Sequence, residues 1–179
     1  MGSLHADRAS RGKEVLGAGD VARSLTRIAY EIVERNGGSD SLIIAGIPTR
    51  GATLARRLIN RLRDVSAGNA DLAIIDTTMF RDDLASQPLR APKETLIPVT
   101  GIDGKTVVLV DDVLYTGRTI KAALDALTRI GRPAAVQLAV LIDRGHRELP
   151  IRPDYVGKNL PTSRDETVTI LLDEIDGRD

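Results

Sequence analysis

Two hydrophobic rhythms alternate along this chain. Val21, Leu25, Ile28 and Ile32 recur at helical spacing, so one apolar face of a helix is expected, with Asp20 as its N-cap and Asn36-Gly37-Gly38 as its stop. Ser41–Ile47 (SLIIAGI) is a continuous apolar run, the pattern of a strand covered on both faces. Pro48-Thr49-Arg50-Gly51 then turns the chain into a second amphipathic helix, Ala52–Asp64, carrying Leu54, Leu58 and Leu62. Leu72–Phe80 reads as a strand, Thr106–Asp111 as the central strand, and Gly117–Ile130 as a helix closed by Gly131-Arg132-Pro133. Val136–Ile142 is another buried strand, and Thr167–Leu172 a late one. Alternation of this kind predicts βαβ units and an α/β fold, a central parallel sheet flanked by helices. Residues 1–16 show no period and are expected to be a disordered tail. Residues 17–179 form one domain, with neither an internal repeat nor a linker.

Composition narrows the chemistry. Aromatic residues are 2% of the chain, so the core must come from Leu, Ile, Val and Ala. Cysteine is absent, which removes disulfides, thiol catalysis and Cys-based zinc sites. His5 and His146 lie far apart, leaving a hard ion held by Asp and phosphate oxygens as the metal chemistry to consider. The formal net charge of zero argues against reliance on non-specific nucleic-acid affinity and asks any such surface to be local. No run approaches a membrane span and no secretory apolar core opens the chain, so a cytoplasmic location is expected.

The richest segment is Thr106–Thr119, TVVLVDDVLYTGRT. A β-branched run drives into two adjacent carboxylates, Asp111 and Asp112, and Thr116, Gly117 and Thr119 then open a helix. Open α/β sheets place ligands at strand carboxyl ends, and a helix start offers an anion its free amides. Like charges this close repel unless a cation or donors meet them. Acids for ribose hydroxyls or a metal, beside a phosphate cradle, suit a phosphorylated sugar. Pro48-Thr49-Arg50-Gly51 repeats the strand–turn–helix arrangement on the same sheet edge, with Arg50 as a bidentate clamp for phosphate oxygens. Gly17, Gly19 and Ala22 match a dinucleotide fingerprint, but no strand leads into them, so the match is accidental. The polar stretch Arg81–Lys93, with Asp82, Asp83 and Arg90, is read either as a lid or as a solvated hairpin. Asp143–Pro150 is a specificity loop or a salt-bridge network. Arg27, Glu31 and Arg35 at i, i+4 spacing form a ladder of helix ion pairs by default.

VVLVDDVLYTGRT (Val107–Thr119) resembles the phosphoribosyl pyrophosphate (PRPP) motif of type I phosphoribosyltransferases. LTRIAYEIVERN (Leu25–Asn36), GIPTRGATLARRL (Gly46–Leu58), FRDDL (Phe80–Leu84) and the stretch Gly131–Ser163 narrow the resemblance to the bacterial pyrimidine-operon regulators that also have uracil phosphoribosyltransferase activity. The resemblance implies that fold, with a small hood and a flexible lid. It implies that Asp111 and Asp112 hold the ribose hydroxyls, directly or through Mg2+ carried with PRPP. It places Tyr115, Thr116, Gly117, Arg118 and Thr119 around the 5′-phosphate, Thr49 and Arg50 at pyrophosphate, and Arg144 and Val168 near uracil, with Gly51, Val113 and Leu114 also substrate-binding. Arg81, Asp82, Asp83, Arg90 and Lys93 fall in the lid. Thr26, Arg27, Arg35, Arg147, Arg152 and Lys158 match a leader-RNA surface, assembled in a homodimer or homotetramer. UMP or UTP would tighten RNA binding and guanosine nucleotides oppose it. Purine enzymes of the wider group carry an acid at the place of Tyr115, so no proton acceptor is assigned there. A plain salvage enzyme without RNA regulation, or one for another base, is the rival reading.

Overall fold

A computed structural model describes residues 12–82, 91 and 93–179. The apolar runs become β1 (Leu42–Gly46), β2 (Asp71–Ile74), β3 (Thr106–Leu114), β4 (Ala135–Asp143) and β5 (Tyr155–Asn159). They form one sheet in the order β2-β1-β3-β4-β5, every neighbouring pair parallel. Successive strand residues feed opposite faces. Leu42, Ile44, Val108 and Val110 pack with α1 (Ala18–Asn36) and α2 (Arg50–Val65), while Ile43, Ala45, Val107 and Leu109 pack with α3 (Arg118–Ile130). Burying each such aliphatic side chain contributes ~1.5–3 kcal/mol, which is how a chain so poor in aromatics builds a core. A short helix α4 (Asp173–Asp176) ends the chain.

Several elements depart from the sequence reading. Asp20 is not the cap of α1; Gly17 is, and the Asp20 carboxylate sits in the first turn accepting the Gly17 amide at 3.1 Å. The expected strand Leu72–Phe80 stops at Ile74, and Thr78–Phe80 is a turn of 3-10 helix. Asp76 causes the break: its Oδ1 accepts both the Thr78 amide (3.1 Å) and the Thr78 hydroxyl (2.7 Å), diverting the backbone from the ladder. Thr167–Leu172 forms no strand; Val168, Ile170 and Leu172 instead lie against the α1/α2 side of the core. The fifth strand is β5, whose Gly157 answers a packing need, since a Cβ there would lie 2.4 Å from the Leu141 carbonyl oxygen. Residues 1–11, most of the expected tail, lie outside the described residues, whereas Leu16 already packs against the core. Among the described residues no helix is long and apolar enough to cross a membrane.

Candidate functional site

Because every strand runs the same way, the loops leaving β1, β3 and β4 meet at one sheet edge. Backbone bonds fix their spacing. The Ile47 amide donates to Val110 O at 3.0 Å, Arg144 N to Leu114 O at 3.1 Å, and Glu148 N to Thr116 O at 3.0 Å. Gly51, in the first turn of α2, lies so close to β3 that a Cβ would stand 2.4 Å from Val110 O. The turn Pro48–Gly51 is thereby pressed against the carboxylate pair, with a cis peptide between Pro48 and Thr49.

Strict alternation along β3 would send Asp111 and Asp112 to opposite faces. The phase inverts across them instead: Val110 and Val113 pack on the α1/α2 side, Leu109 and Leu114 on the α3 side. The two carboxyls consequently lie close enough for the Asp112 charge to act on Asp111. Asp111 is 8% exposed and its Oδ1 accepts the Asp112 amide at 3.0 Å, while Asp112 Oδ1 accepts the Val113 amide at 2.8 Å. Burial pushes the Asp111 carboxyl well above the usual carboxylate range, and the Asp112 charge pushes it further. A buried acid held that high, with no basic side chain bonded to it among the described residues, is a group that a cation or hydroxyl donors would stabilise in ionised form. Among those residues no cluster of three or more His, Cys, Asp or Glu could hold a metal alone, so an ion here would need further oxygens from a ligand.

The anion cradle follows. Gly117, with φ of 93°, is the N-cap residue of α3 and has no side chain of its own to cap the first amides. Thr116 Oγ1 braces the Arg118 amide at 3.3 Å, and Thr119 is half-buried in the first turn. The Arg118 side chain leaves the cradle and bridges Asp82 (2.6 Å) and Glu148 (2.7 Å), both carboxylates raising its pKa further. It joins the root of the expected lid to the loop after β4. The Lys93 end of the expected lid is pinned: Lys93 N donates to Asp76 Oδ2 at 2.9 Å, Ile74 and Leu96 exchange two backbone bonds, and Lys93 Nζ donates to Thr49 Oγ1. Asp83 and Arg90 lie outside the described residues.

Tyr115 lies between Arg144, 4.1 Å from its ring centroid, and His146, edge-on at 5.9 Å. Arg144 is buried and spends its donors on Thr162 Oγ1, Ser163 O and Glu166 O, so it serves as the strut of the 162–166 loop. Arg147, expected on an RNA surface, is tied inward to Asp143 (2.6 Å), Ile151 O (3.0 Å) and Tyr115 O (2.9 Å). Its function in the fold is to hold the cradle's entry. Arg147→Ala should therefore speed amide hydrogen exchange across Tyr115–Thr119 while α2 keeps its protection, as read by mass spectrometry.

The remaining basic positions gather on α1 and β5. Arg27 bonds Glu31 (2.8 Å) and the carbonyls of Val156 (3.0 Å) and Gly157 (2.7 Å), docking the helix on the edge strand. The expected ladder ends there, because Arg35 reaches across to Asp154 at 2.6 Å and lies over Tyr155. The Thr26 hydroxyl turns back to Ala22 O. Lys158 and Arg152 are exposed. Arg23, Arg27 and Lys158 line a shallow groove of about 330 Å³. Sequence reasoning missed Arg23 there, which pairs with Asp20 on α1 at 2.5 Å, and it missed Asp176, which grips Arg50 at 2.9 and 3.2 Å; Asp176 has no local signal, since its partner is distant along the chain.

The fold and these loops define a phosphoribosyl transferase domain, and that family's pattern matches residues 12–170. A hypoxanthine phosphoribosyltransferase from Staphylococcus aureus has the same fold, with a TM-score of 0.65 at 22% identity over 87% of this chain and 80% of its own. Nearer relatives carry one name. Bifunctional protein PyrR of Streptomyces coelicolor is 61% identical over 97% of this chain and 90% of its own, and its namesake from Corynebacterium efficiens 55% identical over 93% and 88%. The chain belongs to the PyrR family.

Proposed function

We propose that this protein is a cytoplasmic, uridine-nucleotide-sensing regulator that binds pyrimidine-operon leader RNA and also makes UMP and pyrophosphate from uracil and PRPP. The observation that carries the enzymatic half is the adjacency of Asp111, whose Oδ1 accepts the Asp112 amide, and Asp112 near the carboxyl end of β3, beside the start of α3. Asp111 and Asp112 would hold the ribose hydroxyls, and Thr116–Thr119 the 5′-phosphate. Pyrophosphate would meet Thr49, Arg50 and the Gly51 amide. Mg2+ arriving with PRPP would neutralise pyrophosphoryl charge, and the carboxyl pair fits a site completed by substrate oxygens. Cationic charge develops on the ribose as its bond to pyrophosphate breaks. The chain then contributes orientation, cations at the leaving group from Arg50 and Lys93, and a lid over Arg81–Lys93 that excludes water. Uracil would stack near Tyr115, in a pocket whose wall Arg144 holds, with Val168 beyond. Formation of UMP from uracil and PRPP tests this; product with hypoxanthine and none with uracil would contradict it.

The regulatory half rests on the basic groove between α1 and β5, doubled in a homodimer or homotetramer. Arg27 and Arg35 also dock α1 on β5, so removing them disturbs the helix as well as the surface. Lys158→Ala with Arg23→Ala is the cleaner change. It should lower affinity for leader RNA about tenfold and reduce the slope of log affinity against log salt by about two. Uridine and guanosine nucleotides would act on that affinity in opposite directions through the nucleotide site. Unchanged RNA affinity in the double variant would count against this groove as the RNA surface, and failure of the unaltered chain to bind leader RNA would favour a plain salvage enzyme.

A further inference from the structure

The last residues of the chain fold back onto α2. Arg57 pairs with Glu174 at 2.6 and 2.8 Å and with Asp179 at 2.6 Å, which raises the arginine pKa and lowers both carboxylates. Two helical turns earlier on the same helix stands Arg50, the cation expected at pyrophosphate. Its Nη2 is held by both oxygens of Asp176, at 2.9 and 3.2 Å. Asp176 is itself fixed from behind, because its Oδ2 accepts the Leu172 amide at 2.9 Å and Leu172 is fully buried. A carboxylate clamped by backbone is not a swinging competitor; it is a template for the guanidinium plane. Arg50 Nε is buried and is the one buried side-chain polar atom without a partner among the described residues. A buried unpaired donor is costly to keep, and it stays acceptable where a ligand atom completes it.

We infer that Asp176 is a positioning residue: from the carboxyl-terminal segment it sets the plane of Arg50, so that the guanidinium N–H groups it leaves unbonded are presented to pyrophosphoryl oxygens. The inference rests on the PRPP reading above and adds to it a role for a residue some sixty positions beyond the PRPP motif (Asp111–Thr119 to Asp176). Arg50 without its template would still carry charge but would sample many orientations, losing affinity at the pyrophosphate end and leaving the uracil end untouched.

The test uses the full chain and three variants. Asp176→Asn and Asp176→Glu alter the template, while Glu174→Gln loosens the same segment on Arg57 without touching Arg50. Calorimetric titration with PRPP and Mg2+ is combined with KM values for PRPP and uracil and with thermal unfolding. Asp176→Asn should weaken PRPP binding and raise its KM about tenfold with the uracil KM unchanged, and Asp176→Glu should recover part of the loss. Glu174→Gln should lower the melting temperature and leave PRPP binding as it was. Three results would overturn the inference: equal PRPP affinity in Asp176→Asn and the unaltered chain, parallel rises in both KM values, or a lower PRPP KM, which would make Asp176 a competitor. Failure of the unaltered chain to bind PRPP would instead remove the reading on which the inference stands.

Discussion

Replacing Asp111 by Asn should slow UMP formation by about 10²–10³-fold and, in the same protein without ligand, raise the melting temperature at neutral pH. The two effects share one cause. Asp111 is buried, and its carboxyl is held above the ordinary range first by burial and then by Asp112. Between the ordinary carboxylate value and that raised value, the folded chain binds a proton that the unfolded chain has released. Stability contributed by this group is therefore complete at low pH and falls as pH rises through the window. Asparagine stays neutral. Its oxygen can still accept the Asp112 amide and its NH2 can donate to the Asp112 carboxylate, so the packing survives while the pH-dependent penalty disappears. Chemical denaturation across pH, alongside a UMP assay, checks both halves. A destabilised variant, or one of normal activity, would show that the acid serves the fold rather than a ligand.

Gly51→Ala should be the most damaging single-methyl change near the site. The added carbon would meet Val110 O at 2.4 Å and the Asp111 Cα at 3.2 Å, and both belong to the backbone of the central strand. Neither can rotate away, so the start of α2 must lift from β3. Overpacking of this kind costs about 1–3 kcal/mol. The functional loss should be larger, about 10²-fold, because the turn Pro48–Gly51 would move relative to the carboxylates by a sizeable part of an ångström. Gly101→Ala, where a Cβ meets nothing within 4 Å but φ is 69°, provides a strain-only comparison. Equal activity losses in the two variants would show that close approach at Gly51 is not what matters.

Most of the architecture was legible because its signals are local. Continuous apolar runs marked β1, β3 and β4, since strands covered on both faces have no polar alternation to confuse the reading. β5 escaped because Gly157, Lys158 and Asn159 look like a loop; its burial is supplied by α1 and β4. Val168, Ile170 and Leu172 showed the alternation of a strand, yet alternation reports only that one side of an extended segment is covered. The carboxylate pair and the helix start at Thr116–Thr119 were visible as a motif. The neighbours that orient the site were not, because Asp176, Arg147 and Glu148 act through partners set by the tertiary fold. Arg27 and Arg35 illustrate the same limit: helical spacing found Glu31 for one, while the other bonds Asp154, 119 positions away.

The most direct measurement of the central claim is calorimetric titration of the full chain with PRPP and Mg2+, repeated on the Asp111→Asn, Asp112→Asn double variant. Saturable binding of one PRPP per chain should appear in the first and weaken at least 100-fold in the second, with cooperative unfolding retained in both. Equal affinity in the two proteins would contradict the account, because the ribose would then be held elsewhere.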